Sequence, residues 1–144
     1  MIEDWVSVAD AEREGLERLE HGPRDYFAGG AGDELTLREN AAAWAHWRLR
    51  PRMLNDVRGV SAEAEVLGGP VRMPVLVAPV AYQRMAHPEG ERGMAAGAAE
   101  AGTVMCLSTL STIRPAEVAA AAPGGRRWFQ LYAFKDEGVT RALM

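Results

Sequence analysis

A short apolar run followed by a polar loop and a helix start recurs three times in the second half of this 144-residue chain. The three apolar runs are Val75–Ala78, Val104–Ser108 and Trp128–Tyr132. The helices predicted after them run from Pro88 to Ala101, from Pro115 to Ala122 and onward from about Asp136. Strands spaced about 25 to 30 residues apart and joined by helices are typical of a parallel sheet. The pattern therefore predicts an α/β fold with about three βα units.

The first half of the chain predicts helices and one hairpin. Ser7 has the character of a helix N-cap, and the helix it starts is expected to end where His21-Gly22-Pro23 breaks the pattern. A second helical stretch, interrupted by glycines at 29–32, continues to Trp44. Residues 63–73 predict a β-hairpin with its turn at Gly68-Gly69-Pro70, placed to close one end of a barrel.

Length leaves two architectures open. A complete (β/α)₈ barrel needs roughly 200–250 residues, and only three units are present here. The fold is either a smaller open sheet or the first part of a barrel. In the second case, residues 1–144 are a partial domain in which 1–73 supply the helices and hairpin and 74–144 supply the βα units.

Composition excludes several classes of function. A net charge of −4 and a pI near 5.4 give no basic surface for nucleic acid. No apolar run approaches the roughly 18 residues of a membrane span, and the acidic N-terminus is unlike a signal peptide. The single cysteine, Cys106, fits a reducing cytoplasm, and its apolar strand favours an inert buried thiol over a nucleophile.

Candidate site residues follow from the strand ends, where parallel α/β folds place their active sites. These positions are Pro79-Val80-Ala81, Ser108-Thr109 and Gln130-Leu131-Tyr132. Ser108 and Gln130 are able to hydrogen-bond a polar ring system, although capping a turn is an equally good interpretation of the pattern alone. His87 is expected to cap or pack at a helix start. A third ligand beside His87 and Glu91 is not evident, so no metal site is expected.

Several of these segments together resemble the FMN-dependent α-hydroxy acid oxidase and dehydrogenase family. That family includes glycolate oxidase, lactate oxidase, lactate monooxygenase and hydroxymandelate oxidase. The segments occur in order from Asp25 to Met144 and are DYFAGGAGDELTLREN, RPR at 50–52, MPVLVAPVAYQRMAHPEGE, AGT at 101–103, LST at 107–109 and WFQLYAFKD.

The resemblance implies the N-terminal part of a TIM (β/α)₈ barrel that binds FMN at its strand ends. By position, the Pro79-Val80-Ala81 backbone would lie against the flavin, and Ser108 and Gln130 would bond its pyrimidine edge. Tyr132 would be the catalytic residue contacting the substrate, a small 2-hydroxy acid, and Tyr26 would bind the carboxylate of that acid. Oxygen or an electron carrier would be the acceptor, and the full-length family member would be a homo-oligomer.

Three departures from the family pattern qualify this expectation. Val80 replaces the threonine of glycolate oxidases, and Leu110 stands where those enzymes carry a tryptophan, so the pocket is expected to differ. The family's general-base histidine and substrate-binding arginine lie further downstream and have no counterpart in these residues. The alternative function is therefore a non-catalytic barrel fragment that requires a complementary chain.

Overall fold

The computed structural model describes residues 4–144 and divides them into two compact units, one ending at Val57 and one spanning Arg58–Met144. Residues 1–3, part of the acidic N-terminal stretch, lie outside the described residues. The sequence predicted a different division, into the helices and hairpin of residues 1–73 and the βα units of residues 74–144. That division stays a prediction. No helix in the described part of the chain is both long and apolar enough to cross a membrane.

The first unit is helical. Its helices are α1 (Val8–Glu17), α2 (His21–Ala28) and α3 (Leu35–Ala43), which runs into a 3₁₀ turn at Trp44–His46. Ser7 caps α1 as predicted, in a reciprocal capping box with Asp10. The predicted break at His21-Gly22-Pro23 is wrong, because α2 begins at His21 and includes all three residues. Proline is tolerated in the first turn of a helix, where its missing N–H has no acceptor to lose.

The second unit begins with the predicted hairpin, which is confirmed with shorter strands. Strand β1 (Ala64–Glu65) pairs antiparallel with β2 (Pro70–Val71). Arg126 fixes this hairpin, because its guanidinium donates to the carbonyls of Pro70 at 3.0 Å and Val66 at 2.9 Å. Two bonds from one planar group hold both sides of the turn.

A parallel sheet forms the centre of the second unit. Strand β3 (Val104–Ser108) pairs in parallel with β4 (Arg126–Gln130). The predicted strand at 75–78 is reduced to a single bridge, from Val77 to Met105, with hydrogen bonds of 2.9 Å on either side. Prolines at 74 and 79 flank this run and remove backbone donors, which limits its pairing.

The third predicted strand begins and ends two residues earlier than expected, at Arg126–Gln130. The strand begins with two arginines, and the guanidinium groups of both bond backbone carbonyls. Arg126 bonds the hairpin, as described above, and Arg127 donates to the Ala122 carbonyl at 2.7 Å. Leu131 and Tyr132 leave the strand because β3, its partner, ends at the register pair Ser108–Gln130.

A helix follows each of the three apolar runs of the second unit. These are α4 (Gly90–Glu100) after the first apolar run, α5 (Pro115–Ala121) after β3, and α6 (Glu137–Leu143) after β4. The core between the sheet and these helices includes Met105 and Leu107 from β3, packed with Val118 of α5. Ala95 and Ala98 of α4 are buried against it, and these small side chains let the helix lie close to the sheet.

Candidate functional site

The last residue pair of the parallel sheet carries two polar side chains. Ser108 ends β3 directly opposite Gln130, which ends β4. Because side chains alternate along a strand, both project from the sheet face opposite the helix-packed Met105 and Leu107. Ser108 is 4% exposed, although serine is usually a surface residue. The structure therefore brings together two of the residues predicted from the strand ends.

Only the oxygen of the Gln130 side-chain amide is hydrogen-bonded to described residues. Its Oε1 accepts from Ser108 Oγ and from the Thr109 backbone N–H, both at 3.4 Å. Its Nε2 donates to no protein acceptor within residues 4–144. The amide thus presents a donor at the carboxyl edge of the sheet, oriented by two contacts from β3 and the loop after it.

Thr109 connects the two strand ends. Its hydroxyl donates to the Gln130 carbonyl at 2.5 Å and accepts from the Tyr132 N–H at 3.2 Å. These bonds hold the backbone of Tyr132 beside the end of β3, while its side chain is half exposed. The sequence interpretation singled out Tyr132 for its phenol but gave Thr109 no role of its own.

The segment after the first apolar run reaches the same edge. The Tyr82 N–H donates to the Leu110 carbonyl at 3.1 Å, which ties this segment to the loop after β3. The side chain of Gln83 donates to the Val80 carbonyl at 3.3 Å. The Ala81 N–H, by contrast, has no acceptor among the described residues of the protein. Pro79-Val80-Ala81 is therefore a fixed backbone segment in which the N–H groups of both Val80 and Ala81 donate to no described residue.

Tyr82 gives this segment its shape. Its φ of 55° lies in the left-handed region, which residues other than glycine seldom adopt. A 3₁₀ turn, Gln83–Met85, begins immediately after it. The change of direction carries the chain from the sheet edge towards α4, and nothing in the amino-acid pattern of the segment predicts it.

Glu91 is a buried carboxylate that the sequence interpretation considered only as a metal ligand. Its Oε1 accepts from the N–H of Thr112 at 2.7 Å and of Gln83 at 3.3 Å, and its Oε2 accepts from Thr112 Oγ1 at 2.7 Å. Burial alone would raise the pKa of Glu91, but these hydrogen bonds outweigh it and hold the pKa below its ordinary value. The side chain is therefore ionised at neutral pH while fully buried.

The contacts of His87 and the burial of Cys106 indicate structural roles for both residues. The Nδ1 of His87 accepts from the Glu89 N–H at 3.2 Å, in the turn just before α4, whose N-cap residue Glu89 has no side-chain cap. Burial raises the pKa of the Cys106 thiol, which keeps it protonated at neutral pH. Across residues 4–144, no group of three or more His, Cys, Asp or Glu side chains is arranged to hold a metal ion.

Tyr26 belongs to the first unit, in α2, where its ring meets that of Phe27 edge to face at 5.1 Å. Its side chain is 49% exposed. The predicted contact of Tyr26 with a substrate carboxylate stays a prediction.

Comparison with known sequences gives one family model, described as FMN-dependent dehydrogenase, that matches residues 16–144. An L-lactate oxidase from Nostoc sp. is 51% identical and covers 99% of this chain. Glycolate oxidase 3 from Oryza sativa subsp. indica is 44% identical over 96% of this chain. The chain spans 40% and 38% of the lengths of these two relatives.

Solved structures show the same relationship. A mandelate oxidase with (S)-4-hydroxymandelic acid superposes with a TM-score of 0.90 at 42% identity, covering 96% of this chain and 39% of its own. A lactate oxidase described as putative, from Pediococcus acidilactici, gives a TM-score of 0.92 at 36% identity, covering 97% of this chain and 39% of its own. The βα units are the N-terminal part of the TIM-barrel fold of these proteins, as predicted. By its sequence match and its fold, the chain belongs to the FMN-dependent dehydrogenase family, whose cofactor is FMN.

Proposed function

We propose that this chain forms the N-terminal part of an FMN-dependent enzyme that oxidises a small 2-hydroxy acid to a 2-oxo acid. One observation carries the proposal. The ends of β3 and β4 and the segment 79–82 are hydrogen-bonded to one another at a single edge, where the Ala81 N–H and the Gln130 Nε2 have no protein acceptor. The two donors are thus fixed in place and remain available to a ligand.

The donors and acceptors of this edge fit an isoalloxazine. The pyrimidine part of the flavin has carbonyl oxygens and one N–H, which complement the Gln130 amide and the Ser108 hydroxyl. Pro79-Val80-Ala81 would lie against the ring system, with the Ala81 N–H near its N5. Because these groups are already held by protein contacts, little reorganisation accompanies binding.

Tyr132 is the proposed catalytic residue of this chain, and Tyr26 and Tyr132 are its proposed substrate contacts. Phenol groups donate hydrogen bonds to the carboxylate or hydroxyl of a 2-hydroxy acid. Oxidation removes two electrons and two protons from the hydroxyl-bearing carbon and its oxygen. When bound, FMN supplies the acceptor for the two electrons. Tyr132 would position the substrate oxygen, while the base that takes the hydroxyl proton is expected beyond this part of the barrel.

Lactate, glycolate and mandelate are the substrate class that we propose, because the names of the relatives mention enzymes for these acids. Oxygen or an electron carrier would remove the electrons afterwards. The single free thiol supports a reducing, cytoplasmic location. Assembly into a homo-oligomer is part of the same proposal.

A flavin-reduction experiment tests the proposal. A polypeptide that contains residues 1–144 and the sequence encoded downstream is purified, and its visible spectrum is recorded without oxygen before and after adding lactate, glycolate or mandelate. We expect a yellow protein whose flavin absorbance is bleached by at least one of these acids. A yellow protein bleached by none of them would contradict the substrate class, and a colourless one would contradict FMN binding.

A second candidate function is that of a non-catalytic fragment that pairs with a complementary chain. Within the described residues, β4 pairs on one side only, and an open, mainly apolar cleft of about 630 Å³ lies beside it. Leu107, Phe129 and Leu143 line this cleft. An unpaired strand edge is a template for association. Purified residues 1–144 distinguish the two candidates: a monomer that turns over a hydroxy acid contradicts the fragment function, and a colourless, self-associating product supports it.

A further inference from the structure

Glu91 stands out because its carboxylate is fully buried without an ion-pair partner among the described residues. Other residues donate three hydrogen bonds to this carboxylate, and the donors belong to Gln83 and Thr112, in two separate loops. Burying a charge is costly unless hydrogen bonds compensate for the lost water. A carboxylate kept in such a place calls for a specific explanation.

Glu91 joins two loops, and each of them follows a segment that is proposed to contact the flavin. Gln83 belongs to the segment after Pro79-Val80-Ala81, and Thr112 belongs to the loop after Ser108. The Thr112 hydroxyl also accepts from the Arg84 N–H at 3.4 Å. Glu91 and Thr112 thus form one bridge between the two loops.

The bridge is connected to the flavin-facing backbone through two further bonds. The Gln83 side chain reaches back to the Val80 carbonyl at 3.3 Å. The neighbouring Tyr82 N–H reaches the Leu110 carbonyl at 3.1 Å. A shift of Gln83 away from Glu91 would therefore move both the Val80 carbonyl and the loop contact next to the Ala81 N–H.

We propose that Glu91 is a positioning residue, which holds the segment 79–83 and the loop 109–112 at a fixed separation so that their backbone groups are set for the flavin. This inference rests on the proposed function, because it assigns Glu91 a task for the same cofactor. Ionisation matters to the task. A carboxylate is a charged acceptor at both oxygens, whereas glutamine offers the Gln83 and Thr112 N–H groups only a neutral carbonyl and turns its N–H₂ group towards the Thr112 hydroxyl.

Amide hydrogen exchange tests the positioning directly, with or without bound FMN. In Glu91→Gln, we expect the protection of the Gln83 and Thr112 amides to fall about 10- to 100-fold, as for loss of a charged hydrogen bond, and that of Tyr82 to fall with them. The Cys106 amide, which donates to Val77 within the sheet, should keep its protection. Glu100→Gln, at the exposed end of the same helix, is the matched control and should change none of these amides.

Two results would overturn the proposal. Equal loss at Cys106 and at the loops would show that Glu91 supports the whole unit and not the two loops. Unchanged exchange at Gln83, Tyr82 and Thr112 would show that the bridge does not hold them. If Glu91→Gln does not fold, Thr112→Val removes the hydroxyl from the same bridge, and the Gln83 and Tyr82 amides should still exchange faster than in the wild type.

An FMN titration of the same variants connects the bridge to the cofactor. If the wild type binds FMN, Glu91→Gln should raise the dissociation constant at least about tenfold at a temperature where it is fully folded, and Glu100→Gln should not. If the loop amides exchange faster in Glu91→Gln but the dissociation constant for FMN is unchanged, Glu91 does not position these loops for the flavin. If the wild-type polypeptide that contains residues 1–144 and the sequence encoded downstream binds no FMN, the proposed function fails and Glu91 has no flavin role, whatever hydrogen exchange shows for the loops.

Discussion

Ser108 Oγ lies 3.4 Å from Gln130 Oε1, across the register pair that ends both strands of the parallel sheet. The contact orients the Gln130 amide so that its Nε2 points to no protein acceptor in the described part of the chain. A buried hydroxyl and an oriented amide at the strand ends form a small polar surface at the carboxyl edge of the sheet. This surface is the part of the structure most directly open to mutagenesis.

Gln130→Leu removes the oriented donor while keeping an apolar side chain of similar size. We expect the dissociation constant for FMN to rise about 2- to 10-fold, as for the loss of one neutral hydrogen bond. Quenching of FMN fluorescence measures it in a polypeptide that contains residues 1–144. Phe129→Leu is the matched control, because residue 129 projects from the opposite face of the same strand. A larger loss in Phe129→Leu than in Gln130→Leu would contradict the assignment.

Tyr132→Phe removes only the phenolic oxygen from the proposed substrate contact. We expect kcat/KM for the hydroxy acid to fall roughly 10- to 100-fold, because a hydrogen bond to a charged or reacting group is lost. The Tyr132 backbone bond to Thr109 does not involve the phenol, so FMN binding should be unchanged. Steady-state kinetics and an FMN titration on the same preparation separate the two effects. Unchanged kcat/KM would remove Tyr132 from the reaction.

The sequence predicted the order of the elements well because each depends on local signals. Apolar runs, a Ser7 cap and small residues on α4 all act within a few positions of one another. The bounds of β4 were predicted less well, since Arg126 at its start donates to the distant carbonyls of Pro70 and Val66. The amino-acid pattern within the strand does not indicate such partners.

At the site, too, local signals could be predicted from the sequence and contacts between distant segments could not. Ser108 and Gln130 lie together as expected because strand ends meet at one edge of a parallel sheet, and their role at a site stays a prediction. Glu91 was missed in its structural role because its partners, Gln83 and Thr112, come from two loops that are separate in sequence. The left-handed Tyr82 likewise donates its N–H to the Leu110 carbonyl, a partner that is distant in sequence.

The lowered pKa of Glu91 makes the second unit sensitive to acid. Burial opposes ionisation, but the hydrogen bonds from Thr112 and Gln83 outweigh it, so the folded state holds its proton less tightly than the unfolded chain. The stabilisation is therefore complete above the ordinary value of about 4.5 and is lost as the pH falls through the folded pKa. Urea unfolding should show that Glu91→Gln loses stability at neutral pH and that its difference from the wild type narrows in acid. A difference that widens on acidification would contradict this assignment.

The raised pKa of Cys106 predicts a slow thiol. Burial disfavours the thiolate, which is the reactive form, so disulfide-exchange reagents should modify Cys106 at least about tenfold more slowly than glutathione at neutral pH. In concentrated urea the rate should rise to that of an exposed thiol. A native rate above that of glutathione would instead identify Cys106 as an activated nucleophile. Absorbance at the wavelength of the released thiolate measures both rates.

Two glycines of α4 give opposite predictions for the same substitution. Gly90 has a φ of +45°, and an added Cβ would lie 2.7 Å from Arg84 Cγ and 3.2 Å from the Arg84 backbone nitrogen. Gly90→Ala should therefore lower the free energy of unfolding by about 1–3 kcal/mol. A Cβ at Gly97 meets nothing within 4 Å, so Gly97→Ala should raise it by roughly 0.5–1 kcal/mol through helix propensity.

Urea unfolding of the two alanine variants measures this difference within one helix. Because the Gly90 strain arises against the segment that contains Gln83, the Gly90→Ala variant should also lose amide protection at Gln83 and Tyr82 before the sheet is affected. Gly97→Ala should leave those amides unchanged, since its neighbourhood is open. Stabilisation by Gly90→Ala would show that the turn into α4 relaxes without cost, and that its close approach to Arg84 does not fix the loop.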